Sequence, residues 1–497
     1  MIKENSTSSI GLKAVGLFAV LVCWCLADTV TAQTNLSDLS QYTQTKMLEH
    51  QVVGASIVVI ENGRARSSLH LGNESADAER PVNKGSVFQV GSISKPVAAW
   101  VVMTLVRDGK VDLDTPVAQY LTRWRIPKSD FDVNGVTLRR LLSHTAGLRL
   151  AAYSGFPEQQ GLPTLEASLL GDTNGAGPVK VVFEPGANYR YSGGGYSVIQ
   201  LLVEEVSGMS FSDYAQKSVL TPLGMTRTSF EPDGDLMKSR VTPHGHHRDT
   251  VEQHHFRAQA AASLHTTAED LARFALANMS SNPVLSQDLV SMMHTSVADA
   301  GFADIGLGFF ISGEGNLVGH GGSNLGWRAE LQLNPKQQNG LIVLTNSEGS
   351  ARFLSEIKCH WDSTLTNPVL SKPCADETRH LAQSRTLANW LTIIVALLIS
   401  ALVIKIVRGY RSATVVFERP STVLRLLLLL VLASATLFVV CFIYTPLGIY
   451  LVAGFRSIFA TIYYAPVWLG KLAPWLVGLL VTLCVMVLLV PSKDVKS

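Results

Sequence analysis

Three apolar runs near the C-terminal end, residues 390–407, 426–444 and 472–490, decide how the rest of the chain must be read. Each approaches the roughly 20 residues a helix needs to cross a bilayer. The first carries Lys405 near its end; the other two carry no charge. A further stretch, 448–470, is apolar and aromatic but holds Arg456, and reads as a fourth crossing or an interfacial segment, with a crossing favoured. Charged residues form 16% of the chain, against about 25% in a typical soluble protein, and they are sparsest beyond residue 389. Lys405, Arg408, Arg411, Arg419 and Arg425, opposed by Glu418 alone, mark the loop after the first run as cytoplasmic. The part before it is then expected on the opposite side. So few ionisable residues in the runs point to an anchor and not a transport path, Arg456 being the one reservation.

The N-terminus agrees. Lys3 and Lys13 precede an apolar run over 14–26, and Val30-Thr31-Ala32 precedes Gln33, which is the pattern of a secretory signal peptide. An uncleaved N-terminal anchor is the alternative. Cys23 and Cys25 lack the setting of a lipidation site. The expected plan is a signal over 1–32, an exported domain over 33–385 and a membrane anchor of three to four helices over 386–497. Of the six cysteines, only Cys359 and Cys374 fall in the exported part. In an oxidising compartment such a close pair suits a disulfide closing a short loop, and two unpaired thiols are the alternative. The net charge of +2, with no basic stripe, gives no reason to expect nucleic acid.

Within the exported part, residues 55–60 form a β-branched run ending in Glu61-Asn62-Gly63, a strong hairpin signal. Residues 92–107 read as a buried helix with Pro96 in its first turn. Residues 198–206 and 267–277 read as helices, the second capped by Thr266 or Thr267, and 341–345 as a buried strand. Strands at both ends around a helical middle predict an α/β sandwich whose sheet draws on both ends of the domain.

Three short motifs carry chemistry. Gly91-Ser92-Ile93-Ser94-Lys95 places a hydroxyl and an amine three residues apart, within reach of each other on a helix. A serine nucleophile needs such a base, and lysine serves only if burial or neighbouring cations lower its pKa. Tyr191-Ser192-Gly193, followed by Gly194 and Gly195, sets a phenol suited to proton shuttling beside glycines that permit close backbone approach. His320-Gly321-Gly322-Ser323 suits an edge strand along which a substrate lies, with an outward N–H for an oxyanion. Each alone is weak: a lone S-x-x-K arises by chance, and the other two pass for glycine turns.

Together and in this order they resemble the family of class C β-lactamases, D-alanyl-D-alanine carboxypeptidases, D-aminopeptidases and related esterases, which use S-x-x-K, a tyrosine triplet and K-T-G or H-x-G. The stretches 106–109, 141–148 (LLSHTAGL), 183–186, 261–274 and 306–308 are similar too, so the resemblance covers roughly 50–360. It implies a serine β-lactamase/penicillin-binding-type α/β (α+β) domain: an antiparallel sheet flanked by helices, with a mostly helical subdomain. It also implies Ser92 as acylated nucleophile, Lys95 as base and Tyr191 as proton relay. Backbone N–H groups of Ser92 and Ser323 would form the oxyanion hole, with His320, Gly322 and Gly193 lining the substrate site. Two-step acyl transfer on a small-molecule or peptide acyl substrate follows, without metal or organic cofactor.

Two departures bear on substrate. Gly193 stands where β-lactamases usually have asparagine, and His320 where they have lysine. A side-chain amide and a fixed cation are thereby lost, which fits esters, or peptides read from their N-terminus, better than penicillins. His244, His246, His247, His254 and His255 lack the spacing of a helical zinc site and read as a loop or rim. His144 reads as structural, its ring bonded to nearby backbone. No G-x-S-x-G or H-E-x-x-H occurs. The rival readings are a penicillin-binding protein or a sensor of β-lactams or wall fragments, and an inactive binding module. A sensor should carry a cytoplasmic effector, whereas the expected inner loop is only about twenty residues. Signal and family together lead us to expect a bacterial inner membrane with the domain on the periplasmic side.

Overall fold

The computed structural model describes residues 36–365 apart from 151 and 314, then 368–370, Cys374, single positions at 397, 401, 404 and 408, and two short strands further on. The signal call over 1–32 and nearly all of the expected membrane runs lie outside the described residues. Among the described residues no helix is long and apolar enough to cross a membrane. Two compact units are distinguished, 1–370 and 371–497.

The first unit is built on one nine-stranded sheet, all of whose neighbours are antiparallel. Its strands are β1 (Gly54–Glu61), β2 (Arg64–Ser75), β3 (Ala78–Pro81), β4 (Ala298–Asp299), β5 (Asp304–Ile305), β6 (Phe310–Ser312), β7 (Leu317–Asn324), β8 (Trp327–Asn334) and β9 (Asn339–Thr345), in the order β3-β2-β1-β9-β8-β7-β6-β5-β4. The early and late segments therefore meet at the β1–β9 pair, where Ile57 faces Val343. Asn62 and Gly63, both at positive φ, make the β1–β2 turn.

Both faces of this sheet are covered, which is why β1 and β9 are apolar without alternation. Ile57, Val59, Leu341 and Val343 pack under α1 (Leu36–Glu49) and α5 (Ala351–Thr364), against Leu39, Phe353 and Trp361. Val58, Ile60, Ile342 and Leu344 face the main core around α2 (Ser94–Arg107), α3 (Gly193–Ser207) and α4 (Ala268–Ala277). From Ser94 to Leu105 every residue of α2 is buried, so this helix is apolar on nearly every face, as a central helix must be, with Ser94, Lys95 and Thr104 as its buried polar residues.

Two local differences from the sequence reading have plain causes. Ser92 lies not on α2 but in a 3-10 turn, Gly91–Ile93, that feeds it, with Gly91 at φ +50. The helix expected from Val198 begins at Gly193, because the Ser192 side chain caps it by accepting from Gly195 N–H. Three glycines hid that start, being poor helix formers. Gly194 serves packing instead: a Cβ on it would come within 2.8 Å of Val179. Thr267 is the cap of α4, accepting from Asp270 N–H. In the second unit the described strands β10 (Val415–Phe417) and β11 (Leu489–Pro491) pair antiparallel; β11 takes up the last two positions of the third apolar run, which the sequence reading placed in a span.

Candidate active site

The site forms where the Gly91–Ile93 turn, the N-terminus of α3 and strand β7 converge. Lys95 Nζ donates to Ser92 Oγ at 3.1 Å and to the carbonyl of Ala261 at 2.7 Å. Tyr191 Oη donates to Ser92 Oγ at 2.8 Å. The serine hydroxyl is thus shared by an amine and a phenol, while Ser92 itself stays partly accessible. Lys95 is buried, its amine bonded to a hydroxyl and a carbonyl, and burial pulls its pKa from 10.5 down to about 7. The neutral fraction of such an amine can receive a proton, and the Ala261 carbonyl occupies one of its N–H groups so that the lone pair can turn toward Ser92. Its Nζ also sits over the Tyr191 and Tyr196 rings, 4.8 and 5.6 Å from their centroids.

Strand β7 supplies the opposite wall. A Cβ on Gly91 would lie 2.6 Å from Ser323 N, and one on Gly322 would lie 2.0 Å from the Val90 carbonyl. Turn and strand are in backbone contact, bringing Ser323 N beside Ser92, and Gly322 cannot carry a side chain there. Asn324, next along β7, donates to Gln89 Oε1 at 2.7 Å and to the Ala262 carbonyl at 3.0 Å. It therefore ties the strand to the segment whose neighbouring carbonyl holds Lys95.

His320 is buried, and burial together with the charge of Lys95 lowers its pKa from 6.5 to about 3. It is neutral at ordinary pH. Its Nδ1 lies 2.6 Å from the Gly321 carbonyl; a carbonyl only accepts, so Nδ1 holds the proton and Nε2 is a bare acceptor. Among the described residues Nε2 has no hydrogen-bond partner.

Sequence reasoning missed how Tyr191 is held. Arg190 N–H donates to the His144 carbonyl at 2.7 Å, and Ser192 N–H to His144 Nδ1 at 3.1 Å. One residue thus grips the chain on both sides of Tyr191, and its ring lies 4.4 Å from the Tyr191 ring. His144 pays for this with a left-handed φ of +57, uncommon for a side-chain-bearing residue. Burial, then Lys95 and His320, hold its pKa well below 6.5. The Ala261 carbonyl was also missed; the run Ala260, Ala261, Ala262 was the available signal, since small residues allow close approach.

The remaining calls fall elsewhere. Gly193 opens α3, buried behind Tyr191. Cys359, on α5, and Cys374 are each disulfide-bonded. Three of the five clustered histidines are spent on backbone groups: His244 accepts from Ala76 N–H and bonds the Asn346 carbonyl, while His254 and His255 bond the Ser154 and Gln160 carbonyls. Among the described residues, the grouping with metal-ligand geometry is Glu49, His50 and Glu356, and Lys46 already pairs with both carboxylates.

A fold of this topology with a serine hydroxyl held between lysine and tyrosine defines the class of β-lactamase-fold serine hydrolases. The β-lactamase family model matches residues 39–358, and the chain belongs to that family. It is 23% identical over 354 residues to Protein flp of Staphylococcus aureus (strain N315), covering 67% of this chain and 68% of that protein. It is 28% identical over 189 residues to Esterase EstB of Burkholderia gladioli, covering 37% and 48%. Among solved structures, the octameric penicillin-binding protein homologue from Pyrococcus abyssi is similar with a TM-score of 0.55 and 26% identity, covering 63% of this chain and 74% of that one.

Proposed function

We propose that this protein is a membrane-anchored serine hydrolase that works through an acyl-Ser92 intermediate on ester or amide substrates, esters being favoured. The observation that carries the reading is the convergence of Lys95 Nζ and Tyr191 Oη on Ser92 Oγ, with Lys95 desolvated to a pKa of about 7. Neutral Lys95 takes the hydroxyl proton as Oγ attacks the carbonyl carbon, and the N–H groups of Ser92 and Ser323 receive the oxyanion. Tyr191 gives its proton to the departing oxygen or nitrogen as that bond breaks, and Lys95 restores it. Water, deprotonated by the same pair, then releases the acid.

The preference for esters rests on the missing cation. Neutral His320 gives no partner for a substrate carboxylate, and Gly193 gives no side-chain amide. The similarity to an esterase is consistent with this. A penicillin-binding protein or sensor with little turnover is the second reading, favoured by the similarity to a penicillin-binding protein homologue.

The anchor, the exported placement of the hydrolase domain and a bacterial inner-membrane location are part of the same proposal and rest on the apolar runs and loop charges. The runs allow three crossings, or four where residues 448–470 cross as well.

Intact-mass labelling of the full-length protein in detergent tests the chemistry. A fluorophosphonate is expected to add to wild type and not to Ser92→Ala, and penicillin to leave little stable adduct. A stable penicillin adduct on Ser92 would favour the second reading. No fluorophosphonate adduct on folded wild type would overturn the serine-hydrolase assignment.

A further inference from the structure

Five aromatic rings from four separate segments close a circuit around the proton relay. Tyr191 lies 6.3 Å from His320, His320 4.9 Å from Phe310, Phe310 6.5 Å from Tyr189, Tyr189 6.0 Å from His144, and His144 4.4 Å from Tyr191. Outside this circuit Phe302 stacks obliquely on Phe310 at 5.1 Å. Phe302 stands at the tip of the β4–β5 hairpin and is 72% exposed. That tip is no slack loop. Ala300 N–H donates to the Ala303 carbonyl at 2.9 Å, Gly301 N–H to Asp299 Oδ1 at 2.6 Å, and Gly301 takes a φ of +86. A built turn thus holds a large apolar side chain in water, where single exposed aromatics mean little by themselves. What sets this one apart is unbroken ring contact inward to Tyr191.

The direction of the chemistry says which part of a substrate meets these rings. With the oxyanion at Ser92 N and Ser323 N, the departing oxygen must sit by Tyr191 Oη, which protonates it. The carbon skeleton on that oxygen then runs past His320 toward Phe310 and Phe302. This wall is aromatic and, with His320 uncharged, carries no cation among the described residues. We propose that Phe302, Phe310 and Tyr189 form a leaving-group subsite for an aryl or other bulky apolar alcohol. The proposal rests on the ester-hydrolase reading for its orientation, though not for the existence of the subsite.

The test compares full-length wild type with Phe302→Ala, an exposed-site change that leaves the core untouched. Hydrolysis of ethyl, butyl and benzyl acetate is followed by acid release, beside a second series that varies the acid of an ethyl ester. Binding of 2-naphthol is measured by calorimetry. The benzyl-to-ethyl ratio of kcat/KM should fall roughly tenfold in Phe302→Ala, the upper end for one aromatic contact, mostly through KM. The acid series should keep its order, and 2-naphthol should bind more weakly to the variant. An unchanged alcohol ratio with unchanged naphthol binding would overturn the subsite. If wild type hydrolyses no ester while naphthol binding still depends on Phe302, the ester-hydrolase reading falls and the subsite stands.

Discussion

The two walls of the active site are built differently. On one side the Gly91–Ile93 turn and α2 are sunk in the core, with Lys95 and all its neighbours up to Leu105 buried. On the other, β7 leads outward through β6 to a two-residue hairpin whose tip aromatic stands in water. The buried wall holds groups whose protonation must be tuned, and tuning needs the exclusion of water. The outer wall holds groups that meet variable parts of a substrate. Such a split lets specificity change at Phe302 or Phe310 without disturbing the base, and it predicts different consequences for substitutions on the two sides.

The sharpest test of the buried wall is Lys95→Met, which keeps the shape of the side chain and removes the amine. Loss of the base should lower turnover by about 10³–10⁴-fold. Stability should move the other way at low pH. A lysine whose folded pKa is about 7, against 10.5 when free, binds fewer protons folded than unfolded between those values. Wild-type stability therefore rises with pH across that window, and the desolvation penalty is fully present below pH 7. Lys95→Met lacks both penalty and slope, so its Tm relative to wild type should be higher at pH 6 than at pH 9. Equal Tm differences at the two pH values would mean that Lys95 is not desolvated as the structure has it.

A smaller loss is expected where the relay is held and not removed. His144→Asn tolerates the left-handed backbone and keeps an acceptor near the Nδ1 position, so Ser192 N–H stays paired while the ring is lost. His144→Ala loses acceptor and ring together at a strained φ. Turnover should fall by roughly 100-fold in the alanine variant and about tenfold in the asparagine variant, in kcat more than KM, on the scale of misplaced catalytic groups. If both variants lost stability equally and kept wild-type kcat, His144 would be a packing residue with no part in placing Tyr191.

What the sequence made legible follows from how local each signal is. The Ser92–Lys95 pair and Tyr191 stand in short motifs, and β1 and β9 announce themselves as unbroken apolar strands. The ring circuit does not, because His144, Tyr189, Phe310 and His320 come from segments that only the fold brings together. The Ala261 carbonyl is a backbone atom, so only the small residues around it hint at its role. The start of α3 was hidden for a different reason: Gly193, Gly194 and Gly195 run against intrinsic helix propensity, Gly194 being fixed by close packing, and only the Ser192 cap shows the helix beginning there.

The smallest effect expected concerns the boundary between the walls. His320 faces Tyr191 from the outer side, yet with a pKa of about 3 it carries no charge over the range where Lys95 titrates. Catalysis needs neutral Lys95, so kcat/KM should rise with pH through about 7 and level off above it. His320→Gln keeps a neutral polar group there and should lower the plateau several-fold through lost ring contacts with Phe310 and Tyr191, as weak aromatic contacts allow. The acid limb should stay within a few tenths of a pH unit of its wild-type position, because burial and not His320 sets the lysine's pKa. A pH–rate profile for a small ester decides it. Displacement of the limb by a full unit would show that His320 is charged in the working enzyme, and that the outer wall shares in tuning the base.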